Sequence, residues 1–400
     1  MDDLPKLSCV FPRKIIFGQQ PSGQVRNSTH DKEFEMTMDR RTVLKGGAAA
    51  TALAAFPQLA VAGYAPRPQG WRHFEITTRV EIPRGTSAAQ VWVPVPALAE
   101  PIWTKPGENR WTTTSEQAAL VTDAEKGAQF VHAVWPEGDS PAVLEVVSVV
   151  STQNRAVDLS QPGGAAALPD ADRARLTAPT DLIPTDGIVR ETAETIVAGA
   201  KSDLEKAQRI YDWVVGSTER NPKTRGCGLG DVASMLATGD LTGKCADLNA
   251  LYVGLARSAG LPARDLYGVR VAPSAFGYKS LGAGSSDVTK AQHCRAEVFL
   301  DGYGWVPVDP ADVRKVVLEE PPKTLSLRDA KVKDVRAALF GASEGNWVAF
   351  NTAHDVALPG SDQGRVPFLM YPQAEIGGVR QDELDPGSFV YSITAQELPA

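Results

Sequence analysis

Cysteine and histidine are both scarce in this chain. There are four cysteines, Cys9, Cys227, Cys245 and Cys294, and five histidines in 400 residues. That cysteine count excludes a disulfide framework of the kind that staples small secreted domains. No run of lysines and arginines forms a basic stripe and the net charge is −7, so nucleic acid is excluded as an expected partner. No apolar run is long enough to span a bilayer. Neither Cys-x-x-Cys nor His-x-x-x-His spacing occurs, and no EF-hand pattern, so no metal or cofactor is expected. No repeat at a solenoid period is present. What remains is ordinary globular material, 43% hydrophobic and 22% charged, enough for a sizeable core.

The most apolar stretch is "MDRRTVLKGGAAATALAAFPQLAVAGYA", residues 38–65, with paired Arg40 and Arg41 and an "AVA" cleavage site at 60–62. It reads as an export signal of the twin-arginine type over 36–62, against the plainer reading of a chance arginine pair before an amphipathic helix. Residues 1–35 then precede the true start, or are disordered, with translation beginning at Met36 or Met38. Residues 1–62 hold eight basic and six acidic residues, so removing them takes the net charge from −7 to −9. The expected location is periplasmic or extracellular. Cys9 lies in the removed segment, leaving three cysteines, an odd number.

In "RHFEITTRVEI" (72–82), Phe74, Ile76, Thr78, Val80 and Ile82 alternate as on a half-buried strand. Segments 90–96, 129–135 and 143–152 are further strand candidates. Together they predict an antiparallel β domain over 70–158, with a linker over 159–180. Helical signals follow. Ser202 and Glu205 form a capping box, and Leu248, Leu251, Leu255 and Ala259 recur at helical spacing before Gly260 and Pro262. Strand patterns return at 267–272, 293–300 and 305–309 and again in the tail. The expected fold class is α+β: a core over 181–320, an N-terminal β domain, and a C-terminal β extension over 321–400 packed on the core.

Cys245 stands where the 245–259 helix begins, after Gly243 and Lys244. Unpaired N–H groups and the positive end of the macrodipole favour a thiolate there, and the same N–H groups can hold an oxyanion. The plainer alternative is a small buried hydrophobe. A cysteine nucleophile needs a histidine base and an acceptor to orient it. His293 opens a strand and Asp309 ends the next, with "DGYG" (301–304) between them. A four-residue loop would turn Asp309 to the wrong face. A three-residue loop at 301–303, or a bulge, would set it opposite Arg295 and diagonal to His293. Alternation turns Cys294 away from His293 into the core, which counts against a metal site built from Cys245, His293 and Cys294.

"GKCADLNALYVGLARSAGLPARDLYGVRV" with "QHCRAEVFLDGYGWVPVDP" resembles the transglutaminase-like superfamily of cysteine enzymes over roughly 185–315. The resemblance implies a papain-like core in which a helix bearing the cysteine packs on an antiparallel sheet. It also implies a catalytic triad of Cys245, His293 and Asp309. Arg295 stands where the family often has an aromatic, which bears on substrate preference. Trp213, Asn221 and Trp347 are oxyanion-donor candidates that read mainly as structural.

The implied activity is that of an exported cysteine peptidase or amidase, or a protein-glutamine acyltransferase, working through a thioester on a peptide or protein substrate. Hydrolysis is favoured over crosslinking, since many bacterial relatives look like hydrolases. The alternative is a catalytically silent envelope scaffold. Arg264 reads as a structural ion pair, Asp247 as a helix cap, and Cys227 as a loop thiol, free or paired. His354 with Asp355 is the rival base pair, and His132 reads as structural.

Overall fold

The computed structural model describes residues 63–385, 387 and 389–399. The signal region at 36–62 and Cys9 lie outside the described residues. Three large antiparallel sheets, three two-stranded pairings and seven α-helices make up the described chain. β1 (Arg72–Ile82) follows its sequence pattern, with Phe74, Ile76, Thr78, Val80 and Ile82 buried. β2 (Ala89–Val95), β5 (Gln129–Trp135) and β6 (Ala142–Thr152) fall where alternation places them. β3 (Thr104–Thr113) and β4 (Gln117–Thr122) do not stand out in the sequence. Both are edge strands with mostly uncovered side chains, and β3 carries Pro106 and Gly107, so neither shows a strand signature.

The linker stretch carries α1 (Asp170–Thr177), in which only Leu176 is buried. Helices α2 (Gly187–Val197), α3 (Asp203–Ser217), α4 (Val232–Thr238) and α5 (Cys245–Ser258) follow. Ser202 accepts the Glu205 N–H at 3.2 Å, and Glu205 returns to the Lys201 N–H at 2.7 Å. Next come β7 (Ala263–Arg270), β8 (Gln292–Leu300) and β9 (Gly304–Val308), then α6 (Pro310–Glu319) and α7 (Ala330–Ala338). β10 (Trp347–Asn351), β11 (Gln373–Ile376) and β12 (Val390–Leu398) close the chain.

Sheet order explains how the flanks relate. β12 pairs with β1 in the order β12-β1-β6-β3, and β11 pairs with β2 in the order β11-β2-β5-β4. The 70–158 stretch and the tail therefore share both sheets, with Val80, Val91, Leu144, Ala374 and Phe389 in one core between them. The third sheet, β9-β8-β7-β10, holds the region that matters chemically.

α5 is the centre of the α+β core. Every residue from Cys245 to Arg257 is buried, far more than the apolar stripe its sequence shows. Leu251 and Leu255 pack with Ile210 and Val214 of α3, and with Ala296, Val298 and Leu300 of β8. A helix covered on all sides carries few polar residues, and those near its start, Asp247 and Asn249, are hydrogen-bonded.

Glu297, fully buried on β8, joins the core to the strand edge at residue 155. Its Oε2 accepts from Arg155 Nη1 at 2.5 Å, its Oε1 from Arg264 Nε at 2.6 Å, and Arg264 also reaches Glu100 at 2.5 Å. Burial opposes its charge, but the two guanidinium groups hold the carboxyl below its ordinary range. Replacing Glu297 with Gln leaves the buried Arg155 without a carboxylate partner and Arg264 with Glu100 alone. The expected loss is about 3–5 kcal/mol of stability by urea unfolding, and a loss under 1 kcal/mol would contradict this role.

Candidate active site

The start of α5 is held by one carboxylate. Asp247 Oδ2 accepts the Lys244 N–H at 2.9 Å, and Oδ1 accepts the N–H groups of Leu229 and Gly230 at 2.9 and 3.0 Å. A Cβ at Gly228 would lie 1.8 Å from Asp247 Oδ2, and one at Gly243 2.4 Å away. Both glycines are thus required by the same carboxylate, and Gly228 also has φ +93. Asp247 is therefore more than a cap: it fastens the 225–230 loop to the helix. Ala246 N–H completes the contact by donating to Cys227 O at 2.8 Å. That N–H is consequently not free for an oxyanion.

His293 and Asp309 meet across β8 and β9. Leu300 pairs with Gly304, leaving 301–303 as a three-residue loop, and Ala296 pairs with Val308. The register continues to set Asp309 level with Arg295. Gly302 and Gly304 both take positive φ, +81 and +76, as the odd loop requires. His293 Nε2 donates to Asp309 Oδ2 at 2.7 Å. Asp309 also caps α6, accepting the Asp312 N–H at 3.0 Å, so its side chain cannot rotate freely.

Two residues complete this geometry that sequence reasoning missed. Asp312 Oδ2 lies 3.5 Å from His293 Nε2, and its Oδ1 accepts from Arg270 Nη2 at 2.6 Å. The sequence signal was available: "DPAD" places a second carboxylate three residues after the first, in the opening turn of a helix. Asn249, one turn beyond Cys245, donates to Cys294 O at 2.7 Å and to Asp309 Oδ1 at 3.3 Å. It bridges the cysteine helix to the histidine strand.

The sulfur atoms of Cys227 and Cys294 lie within 4.8 Å of Cys245 Sγ, and the His293 charge acts on it. Burial opposes ionisation, but the neighbouring thiols and the His293 charge outweigh it and hold the thiol well below its ordinary range. Cys227 and Cys294 are pushed upward and stay protonated, Cys227 chiefly by the neighbouring Cys245 and Cys294 chiefly by burial. Burial and the Arg270 charge work against a charged His293, yet Asp312 and Asp309 outweigh them and raise it. Asp309 is pushed up by burial and by Asp312. Asp312, despite burial, is held low chiefly by Arg270.

The convergence of Cys294 on Cys245 corrects the reading that turned this thiol away. The sulfur atoms of Cys227, Cys245 and Cys294 all lie within 4.8 Å of one another. Alternation does separate Cys294 from His293, but the apolar face of β8 is the face α5 covers, and Cys245 begins that helix. The argument against a metal site that rested on Cys294 pointing elsewhere falls with it. All three thiols are free and buried.

The remaining candidates have other partners. Trp347 Nε1 donates to His293 O at 2.9 Å, and its ring lies under Arg295 with the guanidinium carbon 4.7 Å from the centroid. Asn221 Nδ2 reaches Thr242 at 3.3 Å, and Trp213 packs against the helical core. His354 Nε2 lies 3.2 Å from Asp265, and its Nδ1 lies 3.3 Å from the Tyr267 hydroxyl, so Asp355 is not its partner. His132 stacks on Trp92 with ring centroids 5.1 Å apart. Arg264 is the structural ion pair its sequence suggested.

A cysteine at a helix start beside a histidine–aspartate pair on an antiparallel sheet is the arrangement of a cysteine-based enzyme fold. The transglutaminase-like superfamily model matches residues 190–310, the stretch that contains Cys245, His293 and Asp309. An uncharacterized protein of Haemophilus influenzae is 36% identical over 346 residues, spanning 81% of this chain and 91% of that protein. The chain belongs to the transglutaminase-like superfamily.

The twin-arginine signal model matches residues 37–57, so the protein is exported, to a periplasmic or extracellular location. No helix among the described residues is long and apolar enough to cross a membrane. Among solved structures, a Cytophaga hutchinsonii protein described as a "Putative Cysteine Protease" is 18% identical, covering 82% of this chain and 99% of its own, with TM-score 0.47. The periplasmic domain of TgpA from Pseudomonas aeruginosa is 14% identical, covering 61% and 88%, with TM-score 0.31. Neither likeness is close enough to carry an argument about this chain.

Replacing Asp312 with Asn removes an anion beside His293 and leaves Arg270 unpaired. Both changes disfavour the imidazolium. The His293 pKa, read by NMR on histidine-labelled protein, is expected to fall by about one unit or more. An unchanged value would remove Asp312 from the site.

Proposed function

We propose that this protein is an exported cysteine enzyme that opens peptide or amide carbonyls through a thioester on Cys245, with His293 as base and acid and Asp309 as the group that orients it. The observation that supports this most is the chain of interactions itself. His293 Nε2 bonds the buried Asp309 carboxylate at 2.7 Å, and the raised histidine helps hold the Cys245 thiol low. Cys245 attacks the carbonyl carbon as thiolate. His293 gives its proton to the leaving amine and then takes one from the incoming nucleophile. Asp309 fixes the ring tautomer and stabilises its charged form.

Hydrolysis rather than crosslinking is the preferred outcome, with a peptide or protein as substrate. Cys245 is only 4% exposed, so substrate reaches it when the covering segments part. Those segments are the 225–230 loop and the Phe368–Leu384 stretch, which touch through Gly226 against Leu384 and through the Arg225–Asp382 pair at 2.7 Å. That closure is also the observation that favours the second reading, a silent envelope scaffold.

The test uses the mature chain with an unstructured protein substrate and a fluorescent primary amine, followed by mass spectrometry. New peptide termini or released ammonia are expected. Turnover should fall on the order of 10³-fold or more in Cys245→Ala and His293→Ala. Amine incorporation in preference to water would reverse the choice of hydrolysis. No turnover from folded protein would favour the scaffold.

A further inference from the structure

We propose that Cys227, Cys245, Cys294 and Met370 form a binding site for a soft closed-shell cation, copper(I) in the first instance. Four sulfur atoms from four separate segments meet in one buried place. The three cysteine sulfurs lie within 4.8 Å of one another, and Met370 Sδ is 3.9 Å from Cys294 Sγ. Cys294 and Met370 are completely buried, and Leu248, Tyr267 and Tyr371 enclose the cluster.

The donor set selects the ion. Thiolate and thioether sulfur favour copper(I), whereas magnesium and calcium take oxygen, and zinc takes thiolates with imidazole or carboxylate but rarely a thioether. The spacing agrees. Three sulfurs around one metal at a bond length of about 2.3 Å stand about 4 Å apart. The present spread closes to that with shifts of under about an ångström. The scaffold is built to hold them: Asp247 fastens the Cys227 loop, Ala246 N–H bonds Cys227 O, and Asn249 bonds Cys294 O.

Binding balances simply. The S–H bonds of Cys227 and Cys294 break and their protons pass to solvent, while copper–sulfur bonds form to these two thiolates, to the Cys245 thiolate and, through a lone pair, to the Met370 thioether. No electron is transferred. The resulting anionic cluster faces the positive end of α5 and the His293 ring. A bound cation also shields the thiols from disulfide formation in an oxidising exterior. It occupies the Cys245 lone pair, so copper silences the enzyme; that consequence rests on the proposed role of Cys245, while the binding itself does not.

The experiment titrates reduced mature protein with copper(I) under anaerobic conditions against a chromophoric copper(I) chelator. The arms are the wild type, Cys227→Ser, Met370→Leu and His293→Ala. One copper per chain is expected, with a sulfur-only shell by X-ray absorption and protection of Cys245 from alkylation. Cys227→Ser should weaken binding by more than the roughly 10- to 100-fold typical of losing an outer-shell partner. His293→Ala should keep its copper while losing turnover, which separates failure of the site from failure of the catalytic reading. If Cys227→Ser does not fold, wild-type alkylation protection and Met370→Leu decide. Loss of all copper to the chelator, oxygen or nitrogen ligands in the spectrum, or wild-type affinity in both Cys227→Ser and Met370→Leu would overturn the site. So would a Cys227–Cys245 disulfide whose reduction restores no copper uptake.

Discussion

The Asp247 carboxylate is the contact on which the rest of the site depends. It sits where two glycines leave room, accepts three backbone N–H groups, and joins the 225–230 loop to the first turn of α5. Burial pushes this carboxyl upward against those three bonds, and the nearby Cys245 charge adds to the push. Without the clamp, Cys227 would have no fixed place beside Cys245, and the helix start would lose its register against β8. The architecture beyond follows from the need to bury α5 on every side, with helices α2 and α3 to one side and β8 to the other.

Charge alternation organises the second half of the site. Cys245 is held low in part by the charge of His293, which is itself held high. His293 faces Asp309 and Asp312, and Asp312 is neutralised by Arg270. All of these groups are buried, so each charge is tolerable only through its neighbour. Arg295 lies 3.8 Å from Asp309 and stacks on Trp347, at the position where the family often has an aromatic. A cation on a tryptophan therefore fills that space, and it brings a second positive charge to the Asp309 carboxylate.

Much of this was legible in the sequence because it obeys short-range rules. β1 alternates cleanly, Ser202 and Glu205 mark a helix start, and Gly260, with φ +80, ends α5. The loop at 301–303 followed from requiring Asp309 and His293 to share a face. What escaped depends on packing between distant segments. β3 and β4 are edges without a buried stripe. Cys294 could be assigned a face but not the helix that covers it. Asn249 looked like one more residue on a helix, yet its amide spans two elements. The pairing of the tail with both N-terminal sheets joins residues more than 280 apart along the chain, as between Gln90 and Glu375, and no local pattern announces it.

The central claim is that Cys245 is a thiolate maintained by His293. Its most direct test is the pH dependence of iodoacetamide labelling, followed peptide by peptide by mass spectrometry in mature protein and in His293→Ala. Burial slows labelling at every pH, so the midpoint of the profile is the quantity to compare. A depressed pKa means that the thiolate persists as pH falls. The account predicts a Cys245 midpoint well below the ordinary thiol value of about 8.5, moving up toward that value in the variant. A midpoint at or above the ordinary value, or one indifferent to His293, would contradict it.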